Sequence, residues 1–289
     1  MDMDDDTLAT KIHIINCASQ LRYLIRASAS TAFQGTVILR YVYLAGMDLR
    51  DAYLPGANLE GADLSRVNLR RANLSKADLT WAKLTEADLT EADLSEAVLL
   101  GTNLEKTNLS GANLSKGNLS GNDLRGADLS LTIFPYANLS AANFSGISLL
   151  KTNLFEANLS EANLSGTNLS GADLSGADLS AANLRKADLR DADLREAYLR
   201  MADFSEADLR GANLREADML GTDFRRANLS TANLRKAYLK DANLREANLR
   251  MADLSEADLS EADLRGADLR EADMLGTNFS NADLRGSFT

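Results

Sequence analysis

The side chains best suited to nucleophilic or metal chemistry are one histidine and one cysteine, and the chain has no other residue of either type. They are His13 and Cys17. Nucleophilic catalysis needs a base and an orienting group beside the nucleophile, and a zinc site needs more than two ligands. Apolar residues around Cys17 recur at helical spacing, so Cys17 is interpreted as a core residue on the apolar face of a short helix. The sequence therefore predicts neither a catalytic pair nor a metal site here, and no cofactor is expected.

Carboxylates are abundant, but they recur at a fixed interval instead of forming a cluster. Asp and Glu number 42 against 31 Lys and Arg, which gives a net charge of −11. An outward ladder of Asp and Asn attracts cations weakly, yet the Gly-rich signature of calcium-binding β-helices is absent. A Gly-rich phosphate loop of standard spacing is absent as well. The carboxylates are interpreted as a solvated face, and the chain is predicted not to be an enzyme.

A five-residue phrase, typified by Ala-Asp-Leu-Ser-Glu, positions these residues and repeats from Val37 to Leu284 without an insertion or deletion. The bulky residue of each phrase is called its centre below. Of 50 centres, 43 are Leu, five are Phe and two are Met. Ala stands two residues before 36 of them, and Asp or Asn stands directly before 41. A chain built almost wholly of one phrase leaves few places for a unique site.

The five-residue period excludes both a long helix and a straight strand. In a helix, successive centres would lie about 140° apart around the axis. In a strand, an odd period would send them to opposite faces. The remaining solution is a short extended piece followed by a corner, with Ala and Leu pointing inward. Sixteen of the 18 Gly residues stand two places after a centre, where a corner favours positive φ.

The phrases resemble the pentapeptide-repeat family, whose consensus is Ala-(Asp/Asn)-Leu-X-X. The resemblance covers about 250 of the 289 residues. It implies an all-β solenoid, a right-handed quadrilateral parallel β-helix in which four phrases make one coil. Fifty phrases would then form about 12.5 coils. At the ~4.8 Å spacing of paired strands, the solenoid would be a rod of roughly 60 Å.

Two segments are predicted: a short N-terminal α-helical cap in residues 1–36 and the β-helix in residues 37–289. Three aspartates precede Thr7, a suitable N-cap, and apolar residues then recur at helical spacing. The helix would cover the apolar end of the solenoid; the alternative is a partner-binding helix. At the other end, either Phe288 folds over the exposed coil edge or two chains form a weak homodimer.

Location is predicted from what the sequence lacks. The N-terminus is acidic, and no apolar run reaches the ~18 residues of a membrane helix. One cysteine cannot form an internal disulfide, which is consistent with a reducing compartment. We therefore expect a cytoplasmic protein without a membrane partner.

The favoured function is a non-catalytic scaffold that binds an unknown protein partner through the side faces of a rigid β-helix. The alternative, implied by the quinolone-resistance members of the family, is a DNA mimic that modulates DNA gyrase. The repeat region holds 38 acidic and 28 basic residues, a net charge of −10. A 60 Å duplex would carry about −35 at one charge per ~1.7 Å. The charge therefore favours the scaffold, and direct nucleic-acid binding is not expected.

One stretch of the repeat departs from the polar outward pattern. Contiguous exposed apolar surface often marks a protein-binding site. The alternatives are that Pro135 distorts a corner that its neighbours cover, or that the apolar residues arose by neutral drift. Tyr198 and Tyr238 form a second, weaker candidate. The predicted patch consists of Leu131, Ile133, Pro135, Tyr136, Leu150 and Phe155.

Overall fold

A computed structural model describes residues 36–289 of the chain. The chain divides into two compact units, Met1–Ile133 and Phe134–Thr289, called the first and second unit below. Within residues 36–289, the repeating element is a single bridge residue followed by a two-residue turn, and no helix occurs there. No membrane-spanning helix is therefore found in that part of the chain. The predicted helical cap lies outside the described residues, and the single solenoid over residues 37–289 stays a prediction.

Parallel bridges between successive coils define each unit. They run from Ile38↔Asn58 to Asn113↔Ile133 in the first unit, and from Asn138↔Asn158 to Asp268↔Phe288 in the second. Each bridge joins residues 20 positions apart, so four phrases complete one turn of the solenoid. The bridge residue is the one directly before each centre, which is Asp or Asn in most phrases.

Three recurring kinds of backbone hydrogen bond hold each phrase in place. The N–H of Leu79 donates to the carbonyl of Val98, on the next coil, at 2.8 Å. The N–H of Val98 donates back to Ala77 at 2.9 Å. Within the phrase, Ala82 N–H donates to Leu79 O at 2.9 Å and closes the turn. Because buried backbone groups must be paired, this repeating set explains why the register tolerates no insertion.

The turns of residues 36–289 share a positive φ at one position. All 50 residues that stand two places after a centre, from Tyr41 to Gly286, have a positive φ; 34 are not Gly and 16 are Gly. A positive φ at this position is what a type II turn requires. The predicted corner is therefore confirmed, and so is its tolerance of residues other than Gly. Thr231, with a φ of 60°, is the one β-branched residue among these described turns.

The core is formed by the inward Ala and Leu columns. Ala77 and Leu79 are fully buried, and Phe204 and Phe224 stack inside the second unit with ring centroids 5.1 Å apart. Where Thr replaces Ala, its hydroxyl stays paired: Thr222 Oγ1 donates to Leu199 O at 2.8 Å. Among the described residues, no buried side-chain nitrogen or oxygen lacks a partner. Each fully buried Leu contributes about 1.5–3 kcal/mol.

Phe288 takes the bridge position of one further phrase. Its carbonyl accepts from Leu269 N–H at 2.6 Å, and its N–H donates to Ala267 O at 2.9 Å. The ring is exposed beside the guanidinium of Arg270, with 5.8 Å from Cζ to the ring centroid. The first alternative, in which Phe288 folds over the end, is therefore wrong, because the bridge turns its side chain outward. The homodimer stays a prediction.

Candidate interaction surfaces

Asp and Asn before each centre are engaged by the backbone of their own phrase. Asn58 Oδ1 accepts the N–H of Glu60 at 3.1 Å, and Asp78 Oδ1 accepts the N–H of Thr80 at 3.0 Å. The same contact recurs through both units and fixes the start of the turn. These oxygens are therefore structural acceptors and not a free ladder of ligands.

Arginines directly after a centre neutralise many of these aspartates in the second unit. Arg190 Nη2 lies 2.5 Å from Asp188 Oδ2, and Arg210 Nη2 lies 2.6 Å from Asp208 Oδ2. The hydrogen bond from the Arg190 side chain is the main reason why the pKa of Asp188 lies below its ordinary value. Exposed pairs of this kind stabilise little individually. Their effect on the surface charge is larger, because each Arg neutralises the Asp two residues before it.

The structure offers no metal centre in residues 36–289. No group of three or more His, Cys, Asp or Glu side chains there is placed to hold a metal ion. His13 and Cys17 lie outside the described residues, and their predicted lack of a role stays a prediction.

Two members of the predicted patch belong to the first unit. Leu131 is 80% exposed and stands at the positive-φ turn position, while Ile133 is exposed at a bridge position. Ile133 pairs with Asn113 of the preceding coil. Both side chains are outward-facing, as predicted.

The other four members belong to the second unit, and two of them are in contact. The rings of Tyr136 and Phe155 meet edge to face, with centroids 5.4 Å apart and planes at 89°. The backbone N–H of Tyr136 also donates to Phe155 O at 2.9 Å. Tyr136 and Leu150 are exposed, whereas Pro135 and Phe155 are half-buried. The second unit therefore presents a fixed aromatic pair, because an edge-to-face contact orients both rings.

The second candidate surface also lies in the second unit. Tyr198 and Tyr238 are exposed, and each bridges to Asp218, which stands between them. Arg200 Nη2 pairs with Asp218 Oδ2 at 2.6 Å, so a charged pair separates the two rings. Met201, at the turn that follows Tyr198, is 70% exposed. This surface is more polar than the Tyr136 and Phe155 pair.

Exposed aromatic residues of the first unit did not enter the predicted patch. Tyr41 and Trp81 occupy the positive-φ position of their turns. The Tyr41 ring lies over Gly61, and the Trp81 ring lies over Gly101, where an added Cβ would be 2.6 Å from Trp81 Cδ1. The sequence contains a signal for this contact, which is an aromatic residue at the corner followed 20 positions later by Gly. Glycine leaves room for the ring to cover the next corner.

The repeat sequence places the chain in a known family. The family model for pentapeptide repeats matches successive segments that together run from residue 39 to residue 286. The chain therefore belongs to the pentapeptide-repeat proteins, and its fold class is the right-handed β-helix. No curated protein matches the chain.

Solved structures of the same family resemble the chain in sequence. HetL, a pentapeptide-repeat protein involved in heterocyst differentiation regulation from the cyanobacterium Nostoc sp. strain PCC 7120, is 33% identical; the match covers 95% of this chain and 97% of HetL, with a TM-score of 0.22. QnrB1, a plasmid-mediated fluoroquinolone resistance protein, is 20% identical over 64% of this chain and 91% of its own, with a TM-score of 0.23. Because both TM-scores are low, the family assignment rests on the repeat match.

Proposed function

We propose that this chain is a non-catalytic scaffold that binds a partner protein through exposed side chains on the outside of its β-helix. The observation that supports the proposal most is the contact between Tyr136 and Phe155, a preoriented aromatic pair on a surface that is elsewhere mostly polar or charged. Aromatic residues dominate the energy of protein interfaces, and rigid ones lose little entropy on binding.

The proposal includes the setting in which the chain acts. We infer that it works in the cytoplasm, without a cofactor, a membrane partner or direct contact with nucleic acid. We also infer that the four phrases of a coil form the four sides of a quadrilateral, which gives each unit flat walls for docking. A weak homodimer through the C-terminal end belongs to the same proposal.

Gyrase modulation by DNA mimicry finds less support in the charge arrangement. A DNA mimic must present regularly spaced, uncompensated negative charges. In the second unit, the aspartates of many phrases are instead paired with Arg two residues on, as in Asp193 with Arg195 and Asp263 with Arg265, each at 2.6 Å. Both oxygens of Asp263 are occupied by Arg265. The charge of such a surface alternates in sign over a few ångströms.

A photo-crosslinking experiment tests the proposed surface. The full chain would carry benzoylphenylalanine at position 155 and be irradiated in an extract of the source organism. We expect a covalent adduct with a specific protein, because the probe would sit inside the interface. The same probe at position 238 serves as the control. Equal adducts at both positions, or none at 155, would contradict the proposed surface.

A further inference from the structure

One cross-coil bridge is missing from the otherwise continuous series of the first unit. Between Ile38 and Asn113, every bridge position pairs with the next coil except Asn103, whose counterpart is Asp123. The bridges from Val98 and Asn108 on either side are intact. The two coils are therefore parted along a single phrase. The N–H groups that donate to no backbone carbonyl of the neighbouring coil at this place are those of Gly101, Leu104, Lys106 and Asp123.

Two polar side chains stacked inside the solenoid explain the gap. Thr102 and Asn122 both stand at the inward position that Ala takes in most phrases, 20 positions apart, and both are buried. Within residues 36–133, they are the one pair of polar residues stacked in this way. Thr102 Oγ1 and Asn122 Nδ2 each donate to Leu99 O at 2.7 Å. A single buried Thr is accommodated, because Thr107, which has Ala one coil further on, leaves the bridge of its phrase intact. A close-packed interior has no room for the added volume of Asn, and the coils part.

The gap is a cleft of about 470 Å³. It is lined by Thr102, Asn103, Leu104, Glu105, Asp123 and Arg125. The charges around it cancel, because Arg125 pairs with Asp123 at 2.6 Å and Lys106 lies 4.0 Å from Glu105. The side chains of Thr102 and Leu104 are buried, so these two residues line the cleft mainly with their backbone. One coil thus offers Leu104 N–H and Thr102 O, and the next coil offers the N–H and carbonyl of Asp123.

An exposed tryptophan borders the cleft. The Trp81 ring lies over Gly101, the corner residue directly before Thr102, and Trp81 is 64% exposed. Tryptophan is among the residues that contribute most to binding at protein interfaces. Unpaired backbone groups and an apolar anchor are therefore adjacent at this cleft.

We propose that the cleft binds an extended segment of a partner protein, which pairs with the unpaired backbone as an added strand while one of its apolar side chains packs on Trp81. In this mode of recognition, main-chain hydrogen bonds give affinity and side-chain contacts give specificity. Solvent can pair with these groups in the free protein, but a peptide backbone supplies a donor and an acceptor together at strand spacing. The neutral lining favours such a segment over a small ion. The inference goes beyond the proposed function, because this cleft and the Tyr136 and Phe155 pair lie in different units and each proposal can fail without the other.

Amide hydrogen exchange of the full chain tests the cleft itself. Leu104 N–H should exchange much faster than Leu84 N–H, which donates to Asn103 O at 2.9 Å. In Asn122→Ala the inward column regains its usual residue, so the coils should close and the exchange of Leu104 should slow by about tenfold or more. The matched control, Thr107→Ala, should leave that exchange unchanged. Equal exchange of Leu104 and Leu84 in the wild type, or no slowing in Asn122→Ala, would overturn the proposal.

A phage-displayed library of random linear peptides tests the binding. The library is first depleted on immobilised Asn122→Ala and then selected on the wild type. We expect enriched peptides whose synthetic forms bind the wild type and slow the exchange of Leu104, and whose affinity for Trp81→Ala is about tenfold or more lower. The absence of enriched peptides, or binding that leaves Leu104 exchange unchanged, would overturn the proposal.

Tyr41→Ala is the matched control for the tryptophan. The Tyr41 ring also lies over a corner glycine, Gly61, but the N–H of Gly61 keeps its bond to Thr80 O at 2.8 Å. The enriched peptides should therefore bind Tyr41→Ala like the wild type. Wild-type affinity in folded Trp81→Ala would contradict the role of Trp81, and so would an equal loss in Tyr41→Ala.

Discussion

Arg270 binds the carboxylate of Asp268 with both its backbone and its side chain. The backbone N–H and Nε donate to Oδ1 at 3.2 and 2.8 Å, and Nη2 donates to Oδ2 at 2.6 Å. The Arg270 side chain is the main reason why the pKa of Asp268 falls from 3.8 to about 2. Arg285 lowers the pKa of Asp283 to about 2 in the same way. The turn contact and the ion pair thus share one carboxylate.

These two aspartates should make the second unit acid-sensitive. Because the folded pKa lies below the unfolded value, their stabilisation is present above about pH 4 and is lost as the pH falls towards 2. We expect the thermal midpoint to fall across this window. In the double variant Asp268→Asn, Asp283→Asn it should fall less, since Asn keeps the turn contact and does not titrate. Superimposable pH profiles would contradict this interpretation.

The turn at Thr231 should be strained. A β-branched residue at φ 60° is unfavourable, and the left-handed region costs an L-residue about 1–2 kcal/mol. We expect Thr231→Gly to raise the free energy of unfolding by about 1 kcal/mol, measured by urea denaturation. The reverse change, Gly166→Thr, should lower it by a similar amount, because nothing lies within 4 Å of an added Cβ there and only φ opposes it. Changes of the opposite sign would refute the strain argument.

The stacked phenylalanines should be a stability determinant of the second unit. Phe224 is fully buried against Phe204, so Phe224→Ala should cost about 3–5 kcal/mol through lost burial and the cavity left behind. Leu275→Ala is the control; that side chain is exposed, so the change should stay within about 0.5 kcal/mol. Urea unfolding of both variants gives the comparison. Similar losses of unfolding free energy in the two variants would mean that the inward column of side chains does not determine the stability.

Gyrase activity provides an independent check on the function. We expect no inhibition of gyrase supercoiling and no protection against quinolones, even with the protein in large excess, because Arg residues neutralise much of the Asp surface. A supercoiling assay with purified gyrase measures both effects. Clear inhibition at micromolar protein would favour the DNA-mimic alternative over the scaffold.

The sequence predicted the repeat geometry well because one physical constraint acts on every phrase. Inward burial of residues such as Ala77 and Leu79 follows from the five-residue period, and positive φ follows from the position of Gly. Contacts between coils were harder to predict. That Tyr136 meets the ring of Phe155 depends on side-chain reach across coils. The same holds for the ion pairs, which join arginines to carboxylates 18, 20 or 21 positions away.

The most direct test of the scaffold proposal is affinity capture with the immobilised full chain from an extract of the source organism. Wild type is compared with Tyr136→Ser, Phe155→Ser and with the control Tyr198→Ser, Tyr238→Ser, after matching thermal midpoints show that all three are folded. We expect wild type and control to retain the same specific protein, and the Tyr136, Phe155 variant to lose it. Undiminished capture by that folded variant would contradict the claim that this aromatic pair forms the interaction surface.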